Sequence, residues 1–265
     1  MSGRSVTIVT GASLGLGREI ALALARASRD LVLVARNEAL LESLADEIAA
    51  AGRPRPLVRP LDLAAPDACA TLIASLADVG VDGLVNNAGY GLIGEAASLD
   101  LAGQLGMIDL NIRALTELTL RLAPQLVAAR GRILNVASVA AFMPGPGMAV
   151  YYASKAFVLS FSEALHQELA GKGVGVTALC PGPVATSFWS RAGLAPAFVR
   201  LLGAAEPRPV AEAGVKAMLA GKRRATPGLL NAAMTHLAPA TPRALLLPIV
   251  ARLQAARGAA RERPE

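Results

Sequence analysis

Short, continuously apolar runs alternate with longer stretches of helical periodicity through most of the chain. Apolar runs bounded by glycine or polar residues predict buried strands, whereas apolar residues recurring every three or four positions predict helices. The predicted strands lie at or within 5–10, 30–35, 55–63, 81–89, 131–138 and 174–182, with an edge strand at 224–228. The predicted helices lie near 15–28, 38–52, 101–129 and 150–171.

This alternation predicts the fold class. Strands that are apolar on both faces and separated by helices are typical of a parallel sheet with helices on both faces. Because strand–helix–strand crossovers are right-handed, such a chain forms a doubly wound, Rossmann-type α/β fold of about seven strands. We expect this domain over 1–228. A helical extension follows over 229–265, with helices broken by Pro239, Pro242 and Pro248 and with its last residues disordered.

Composition limits the class of protein further. With 54% hydrophobic and 17% charged residues among 265, the chain can bury a large core. No apolar stretch reaches the roughly 20 residues of a membrane-spanning helix, and no signal peptide is visible. Cys69 and Cys180 lack metal-ligand or redox spacing, and His166 and His236 have no ligand-spaced partners. We therefore expect a cytoplasmic protein with reduced cysteines and no metal.

A glycine-rich turn follows the first predicted strand directly. Gly11, Gly15 and Gly17 have the spacing G-x-x-x-G-x-G and stand just before a predicted helix. Glycines at such a turn let the backbone approach a pyrophosphate held at the helix N-terminus. A simple helix entry is the alternative, but the position in the first strand–turn–helix unit favours a dinucleotide site.

Tyr151 and Lys155 stand four residues apart on a predicted helix and therefore share one face. An ammonium beside a phenol favours the phenolate, so the pair can give or take a proton at a carbonyl or alcohol oxygen. Taken alone, such a pair is more often a solvated surface pair. Tyr152 is a rival phenol, but only Tyr151 lies four residues before a lysine.

The motifs occur together and in a specific order. They are TGASLGLG at 10–17, NNAG at 86–89, Asn111, Ser138, Tyr151-x-x-x-Lys155 and PGPVAT at 181–186. In this combination the chain resembles the short-chain dehydrogenase/reductase family in its single-domain form, over about residues 4–187. The resemblance implies an oxidoreductase that uses a nicotinamide cofactor.

The same resemblance implies the cofactor-binding positions. Asp62 would accept a hydrogen bond from the adenine amino group, although a helix cap before Pro66 is an alternative role. The positions implied for the pyrophosphate are Gly11, Ser13, Gly15, Leu16 and Gly17. Those implied beside the adenosine ribose are Asn87, Ala88 and Gly89, and those along the nicotinamide are Pro181, Gly182, Val184 and Thr186.

Four catalytic roles are implied in the same way. Tyr151 would be the general acid for reduction and the general base for oxidation, and Lys155 would bind the nicotinamide ribose and lower the tyrosine pKa. Ser138 would donate a hydrogen bond to the substrate oxygen, although a cap at a strand end is the ordinary role of such a serine. Asn111 would interrupt its helix to hold a water that passes protons through Lys155.

The choice of cofactor depends on the end of the second strand. A site specific for NAD carries a carboxylate there, whereas a 2′-phosphate calls for positive charge. Here Ala35 occupies the acidic position and Arg36 follows. Arginine binds phosphate in a fork and stacks on adenine, so we predict NADP(H) rather than NAD(H). The alternative is a solvated arginine at the start of a loop.

The segment 187–206 is rich in apolar residues, including Phe188 and Trp189. It is either a lid over the substrate or a segment packed on the body of the domain. A lid of this kind indicates a lipophilic ketone or alcohol as the small-molecule substrate. Further apolar pocket wall is expected from Ala140, Phe142 and Met143.

The net charge of +6 raises the alternative of a nucleic-acid-binding protein. The arginines are dispersed from Arg4 to Arg263 without interleaved aromatic residues, so no nucleic-acid partner is expected. The C-terminal extension is the exception, because arginines flank Leu245–Val250. This pattern indicates a peripheral membrane or partner-binding surface, or a helix folded over the substrate mouth.

The resemblance also implies subunit pairing through two helices, here near 110–129 and 150–171. Both helices are apolar on more than the face needed to cover a sheet, which supports a homodimer or homotetramer. The residues behind this prediction are Leu115, Leu118, Leu122, Val127, Phe157, Val158, Phe161 and Leu165.

The alternative to an enzyme is a non-catalytic protein that keeps the fold to sense NADP or to act as a scaffold. It has no need of Tyr151 and Lys155 together.

Overall fold

The computed structural model describes residues 5–192 and 203–259. Within them, seven strands form one parallel sheet in the order β3-β2-β1-β4-β5-β6-β7, which confirms the predicted doubly wound fold. Each strand lies at or within a predicted run, apart from a one-residue shift at the start of β4. The strands are β1 (Ser5–Thr10), β2 (Leu31–Ala35), β3 (Leu57–Pro60), β4 (Gly80–Asn86), β5 (Arg132–Val136), β6 (Gly175–Leu179) and β7 (Arg224–Ala225).

Helices connect the strands and continue past the last one. The short helix between β3 and β4 was not predicted, because its seven residues are too few to show a clear period. The helices are α1 (Gly15–Arg26), α2 (Glu38–Ala50), α3 (Ala68–Ala74), α4 (Leu101–Ile108), α5 (Leu115–Ala128), α6 (Ala149–Ala170), α7 (Ser187–Arg191), α8 (Pro207–Leu219), α9 (Leu229–Ala240) and α10 (Arg243–Ala259). A π-helical segment (Asp109–Ala114) joins α4 to α5, and a 3-10 turn (Val139–Phe142) follows β5.

The sheet separates two hydrophobic cores. Successive side chains of a strand point to opposite faces, so in β1 Val6 and Ile8 enter one core and Val9 the other. The first core is covered by α3, α5 and α6, and the second by α1, α2 and α8. Because helices cover both faces, the central strands are mostly apolar on both sides.

The apolar residues that predicted an intersubunit surface on α5 and α6 are mostly buried within the domain. Phe157 is 38% exposed, and Val127 and Phe161 are half-buried. The interpretation of the others as surplus apolar surface was wrong, since α5 and α6 each pack against more than the sheet. The buried residues are Leu115, Leu118, Leu122, Val158 and Leu165, each at most 7% exposed.

The C-terminal extension folds back onto the domain. Ala238 of α9 and Leu246 and Val250 of α10 form a small buried cluster against Met143, just beyond the 3-10 turn. Pro242 separates the two helices as predicted, but Pro239 lies within α9 and Pro248 within α10. No helix in the described part of the chain is long and apolar enough to cross a membrane. The predicted disorder of the last residues falls outside the described residues.

Candidate active site

The site begins where β1 and β4 end side by side. Helices leave these two strands in opposite directions along the sheet, which opens a crevice at their carboxyl ends. The Thr10 hydroxyl donates to the Val85 carbonyl (3.1 Å) and accepts from the backbone N–H groups of Asn87 and Ala88 (3.0 Å each). Sequence analysis gave Thr10 no role, yet it holds the two strand ends together.

The glycine turn after β1 has no room for side chains. Gly11 and Gly15 have φ angles of +64° and +57°, and a β-carbon on Gly17 would overlap the Gly11 carbonyl oxygen. Asn87 Nδ2 donates to the carbonyls of Thr10 (3.0 Å) and Gly11 (3.2 Å), which fixes the turn. Only glycine meets these conditions without strain.

The turn leads into a helix N-terminus that no side chain caps. Leu14 is the N-cap residue of α1 and has no side-chain oxygen to accept from the first backbone N–H groups. Unpaired N–H groups at a helix N-terminus bind phosphate, assisted by the helix dipole. The turn and the open N-terminus therefore fit the pyrophosphate of a dinucleotide.

Arg36 lies at the far end of the crevice, between β2 and α2. Its Nη1 is 4.0 Å from Asp62 Oδ2, with the two side chains 68% and 51% exposed. Asp62 Oδ1 accepts from the Ala64 N–H (3.1 Å), which stabilises a turn. The next helix, α3, begins at Ala68 with Asp67 as its N-cap, so the alternative of a helix cap at Asp62 was wrong. The second oxygen of Asp62 faces the arginine. Both side chains line the crevice and are accessible to a ligand.

Tyr151 and Lys155 lie on one face of α6, as their spacing predicted. Lys155 Nζ donates to the Val136 carbonyl at the end of β5 (2.7 Å) and is 5.8 Å from the centre of the Tyr151 ring. The lysine is 7% exposed, and burial lowers its pKa to about 8. The ammonium is thus held beneath the tyrosine in a poorly solvated place, where its charge acts strongly on nearby groups.

Asn111 lies in the π-helical segment, so the interruption of the helix that the resemblance implied is present. Its Oδ1 accepts from the Tyr90 N–H (3.1 Å), and its Nδ2 donates to the Tyr90 carbonyl and to Ser154 Oγ (3.0 Å each). A β-carbon on Gly89 would lie 2.8 Å from Asn111 Oδ1 and 3.7 Å from Lys155 Nζ. Asn111 therefore fixes the loop after β4 against α6, the helix that carries Tyr151.

Ser138 lies two residues after the end of β5 and begins the 3-10 turn. Its Oγ accepts from the Ala140 N–H (3.1 Å) and donates to the Pro181 carbonyl (3.4 Å). The cap that was the ordinary alternative for this serine is therefore formed. Ser138 also lines the cavity that contains Tyr151, so its two predicted roles are compatible.

The segment after β6 lies opposite the glycine turn. A β-carbon on Gly15 would be 2.9 Å from Thr186 Cβ, and Trp189 Nε1 donates to the Val184 carbonyl (3.0 Å). The Phe188 and Tyr151 ring centres are 5.3 Å apart. Phe188 and Trp189 of the predicted lid thus lie beside the tyrosine, whereas 193–202 of the lid fall outside the described residues.

One cavity of about 1120 Å³ joins these parts. Of the cofactor-binding and catalytic residues that were predicted, all but Asn111 line it. Ala140 and Met143 line it as well, but Phe142 does not, because its ring packs under the Arg224 guanidinium, 5.3 Å from the ring centre. Six further lining residues, which sequence analysis did not assign, come from the C-terminal extension: Leu230, Asn231, Met234, Val250, Leu253 and Gln254.

The two cysteines take no part in this chemistry. Both are free and buried, and burial raises the pKa of the Cys69 thiol to about 11 and that of Cys180 to about 12. Thiols with such pKa values remain protonated and unreactive near neutral pH. Among residues 5–192 and 203–259, no cluster of three histidine, cysteine or acidic side chains could hold a metal ion.

Comparison with known proteins agrees with this geometry. The sequence model of the short chain dehydrogenase family matches residues 5–195, and the chain belongs to that family of oxidoreductases. It is 34% identical over 241 residues to a ketoacyl reductase, HetN, of Nostoc sp., covering 87% of this chain and 79% of the relative. It is 39% identical over 188 residues to sulfoacetaldehyde reductase 2 of Chromohalobacter salexigens, covering 69% and 74%.

A solved structure is similar over nearly the whole chain. It is a short-chain dehydrogenase from Sphingobium yanoikuyae in complex with NADPH. The identity is 32% and the TM-score is 0.78, with 91% of this chain and 97% of that chain covered.

Proposed function

We propose that this oxidoreductase uses NADP(H) to interconvert a carbonyl group and a secondary alcohol on a lipophilic small molecule. The observation that carries the proposal is the position of Lys155. A buried ammonium beneath Tyr151 has a large desolvation cost, which a merely structural lysine would avoid by reaching solvent. Both residues line the same cavity as the glycine turn.

The cofactor would extend along the crevice from Arg36 to Tyr151. The open N-terminus of α1 and the glycine turn would bind its pyrophosphate, and the Arg36 guanidinium would bind the 2′-phosphate of NADP(H). Asp62 has one carboxylate oxygen directed away from its turn and would accept from the adenine amino group. When bound, the nicotinamide supplies or removes the hydride, the two-electron part of the reaction.

The protein's own residues would manage the proton. In reduction, the Tyr151 hydroxyl gives its proton to the carbonyl oxygen as the carbon becomes tetrahedral, and in oxidation the phenolate takes that proton back. The Lys155 charge favours the phenolate and so makes Tyr151 a stronger acid. Ser138 Oγ lines the same cavity and would donate to the substrate oxygen, which stabilises the negative charge that develops there.

The cavity walls support a lipophilic substrate. Beside Tyr151 stand Met148, Phe188 and Trp189, and Met148 and Trp189 are part of a buried apolar cluster. Across the cavity, α9 and α10 add further apolar side chains. A lipophilic ligand that packs against these walls loses contact with water, and this burial stabilises the complex by about 25 cal/mol per Å² of apolar surface.

We further propose that the enzyme is a cytoplasmic homodimer or homotetramer. The two free, buried cysteines support a reducing compartment. The oligomer would use apolar side chains that remain on the surface of α4, α5 and α6. These are Leu101, Leu105, Ile108, Leu120 and Phe157, with exposures of 67%, 51%, 39%, 53% and 38%.

A screen of ketones and aldehydes with NADPH, in which the alcohol product is detected directly, tests the proposed function. The set should pair each lipophilic carbonyl with a short polar one of the same reactive group. We expect alcohol formation that requires Tyr151 and favours the lipophilic member of each pair. Tight NADPH binding without turnover of any carbonyl or alcohol would support the non-catalytic NADP-sensing alternative instead.

A further inference from the structure

The exposed apolar side chains are concentrated in the two C-terminal helices. Of the fifteen large hydrophobic residues exposed in the described parts of the chain, eight lie between 229 and 253. We call these eight the C-terminal apolar cluster: Leu229, Leu230, Met234, Leu237, Leu245, Leu247, Ile249 and Leu253. An exposed apolar cluster of this size marks a surface that contacts a protein partner, a membrane or a ligand.

Helix α10 separates a buried stripe from an exposed one. Leu246, Val250 and Gln254, at intervals of four, are 8%, 5% and 4% exposed. The residues one position earlier are Leu245, Ile249 and Leu253, and they are 62%, 54% and 61% exposed. A helix needs only the first stripe to pack on its domain, so the second is unexplained by the fold.

The excess positive charge of the chain is also concentrated near the C-terminus, in residues 213–261. Between Glu212 and Glu262 the sequence has eight lysines and arginines and no acidic residue. Since the whole chain has 26 basic and 20 acidic residues, the remainder has 18 basic and 20 acidic residues, a net charge of −2. The excess positive charge of the protein therefore lies entirely in this segment, where Arg243 and Arg252 are exposed on α10.

The C-terminal apolar cluster reaches the mouth of the active-site cavity. Leu230 and Met234 of α9 and Leu253 of α10 line the cavity and are 76%, 36% and 61% exposed. A side chain that both lines a cavity and faces solvent lies at its opening. The cavity containing Tyr151 thus opens through the same surface that carries the apolar and cationic residues.

We propose that the C-terminal apolar cluster docks on an anionic lipid bilayer and that the substrate passes between the bilayer and the cavity through this mouth. The part concerning the substrate depends on the proposed function. Exposed leucine and isoleucine on helices with arginines and without carboxylates are what an interfacial helix needs to enter the headgroup region of anionic lipids. The contact is peripheral, since no described helix could span the bilayer.

Charge favours a lipid surface over a second copy of the chain. Two copies meeting through α9 and α10 would bring Arg243 and Arg252 of both copies together, and neither helix carries a carboxylate to pair with them. A bilayer containing acidic lipids supplies the opposite charge over a wide area, and its acyl chains accept the leucines. Both properties of the segment are thereby used.

Flotation with vesicles tests the docking. Full-length protein is mixed with vesicles of phosphatidylcholine alone or of phosphatidylcholine with phosphatidylglycerol, and the bound fraction is measured at increasing salt. We expect binding to the anionic vesicles that weakens as salt increases. Leu245→Glu and Ile249→Glu should each reduce the partition coefficient by at least about tenfold, since each replaces a side chain that would enter the bilayer.

Leu219→Glu is the matched control, because Leu219 is also an exposed leucine of the 213–261 segment but lies at the end of α8. It adds the same charge and should retain nearly all of the binding. Failure of the wild-type protein to bind anionic vesicles at low salt would overturn the proposal. Equal losses of vesicle binding in all three variants would overturn it too. The same holds if the Leu245→Glu and Ile249→Glu variants bind vesicles normally but no longer self-associate.

Activity separates this proposal from the proposed function. Neither Leu245 nor Ile249 lines the cavity, so turnover of a water-soluble ketone without vesicles should be unchanged in these variants. A ketone delivered in anionic vesicles should be reduced more slowly by them than by the wild type, by the same factor as the loss of binding. Activity without vesicle binding defeats the docking alone, whereas vesicle binding without activity on any carbonyl defeats the proposed function and leaves the docking in place.

Discussion

Gln254 Nε2 donates a hydrogen bond to the Tyr152 hydroxyl at 2.6 Å, although the two residues are 102 positions apart. Gln254 lies near the end of α10 and is 4% exposed, and Tyr152 is the neighbour of Tyr151 on α6. A β-carbon on Gly145 would overlap the Tyr152 ring, so the tyrosine lies flat against that glycine. The C-terminal extension is therefore attached to α6 beside Tyr151, at the cavity itself.

We expect Gln254→Leu to raise KM for a bulky substrate while changing kcat little, because the attachment positions the cavity wall and no proton passes through it. Tyr152→Phe removes the same hydrogen bond from the other side and should have the same effect. Each should lower the free energy of unfolding by about 1 kcal/mol, a typical hydrogen bond. Steady-state kinetics and chemical denaturation measure both quantities.

The double variant supplies the control for this prediction. If the two residues act through one hydrogen bond, combining the changes should cost about as much as either alone. Fully additive effects, or a fall in kcat in Gln254→Leu as large as that in Tyr151→Phe, would contradict the positioning role.

The parts of the site that sequence analysis predicted are those encoded locally. Tyr151 and Lys155 share a helical face because they are four residues apart. Gly11 and Gly17 follow a predicted strand directly and precede a predicted helix, so their own segment indicates the turn. Gln254 has no such local signal. Its role depends on where α10 docks, and a helical pattern does not specify which surface of the domain a helix covers.

The prolines of the extension show the same limit. Pro248 was expected to break a helix but lies within α10, where the lost hydrogen bond would have joined it to the Ala244 carbonyl. Both residues are exposed, so water can satisfy that carbonyl. At Pro248 the helix thus continues where solvent can replace the lost hydrogen bond, and the pattern of residues alone does not supply that exposure. The π-helical segment around Asn111 was likewise implied by the family and not by its local sequence.

Tyr151→Phe should reduce turnover by at least about a hundredfold, the usual contribution of a general acid. The change removes one oxygen and keeps the ring that contacts Phe188, so NADPH binding should remain nearly normal. Product formation and cofactor fluorescence titration measure the two effects. Tyr152→Phe is the matched control, because it removes a phenol from the same cavity and should keep most of the kcat. Near-normal turnover in Tyr151→Phe on a verified substrate would be incompatible with the assignment.

Arg36→Ala should weaken NADPH binding far more than NADH binding, by about 1.5–3 kcal/mol for a hydrogen bond to a charged group. The only chemical difference between the two cofactors is the 2′-phosphate, so the difference in loss isolates that contact. Arg121→Ala is the control, since Arg121 is an exposed arginine that pairs with Glu117 and does not line the cavity. Equal losses for both cofactors, or a wild-type preference for NADH, would refute the proposed role of Arg36.

Burial of Lys155 makes the stability of the cofactor-free protein depend on pH. The pKa of this lysine is lowered from 10.5 to about 8, so between these values the unfolded chain binds more protons than the folded protein. Stability should therefore rise with pH through this window, by roughly 3 kcal/mol in all. Below about pH 8 the folded protein bears the cost of a buried ammonium.

Lys155→Met removes this dependence and isolates it from other groups that titrate at high pH. We expect the variant to be more stable than the wild type at pH 7, with a difference that shrinks as pH rises toward 10. Denaturation curves at several pH values measure it. Lys172→Met is the control, since Lys172 is exposed and its replacement should leave the pH profile unchanged. A Lys155→Met profile parallel to that of the wild type would show that the lysine is not buried as a charge.

The final prediction concerns subunit contacts, which we place on the exposed apolar residues of α4, α5 and α6. Leu105 and Leu120 are 51% and 53% exposed on this surface, and a two-fold pairing would bury each against its symmetry mate. The Leu105→Glu/Leu120→Glu variant places like charges in such an interface and should dissociate the oligomer at micromolar concentration. Light scattering after size exclusion measures the mass.

Leu245→Glu/Ile249→Glu is the matched control, because it adds the same two charges to equally exposed positions of α10 and should leave the mass unchanged. A monomeric wild-type protein would defeat the prediction, and dissociation in the α10 variant alone would move the subunit contact to the C-terminal extension.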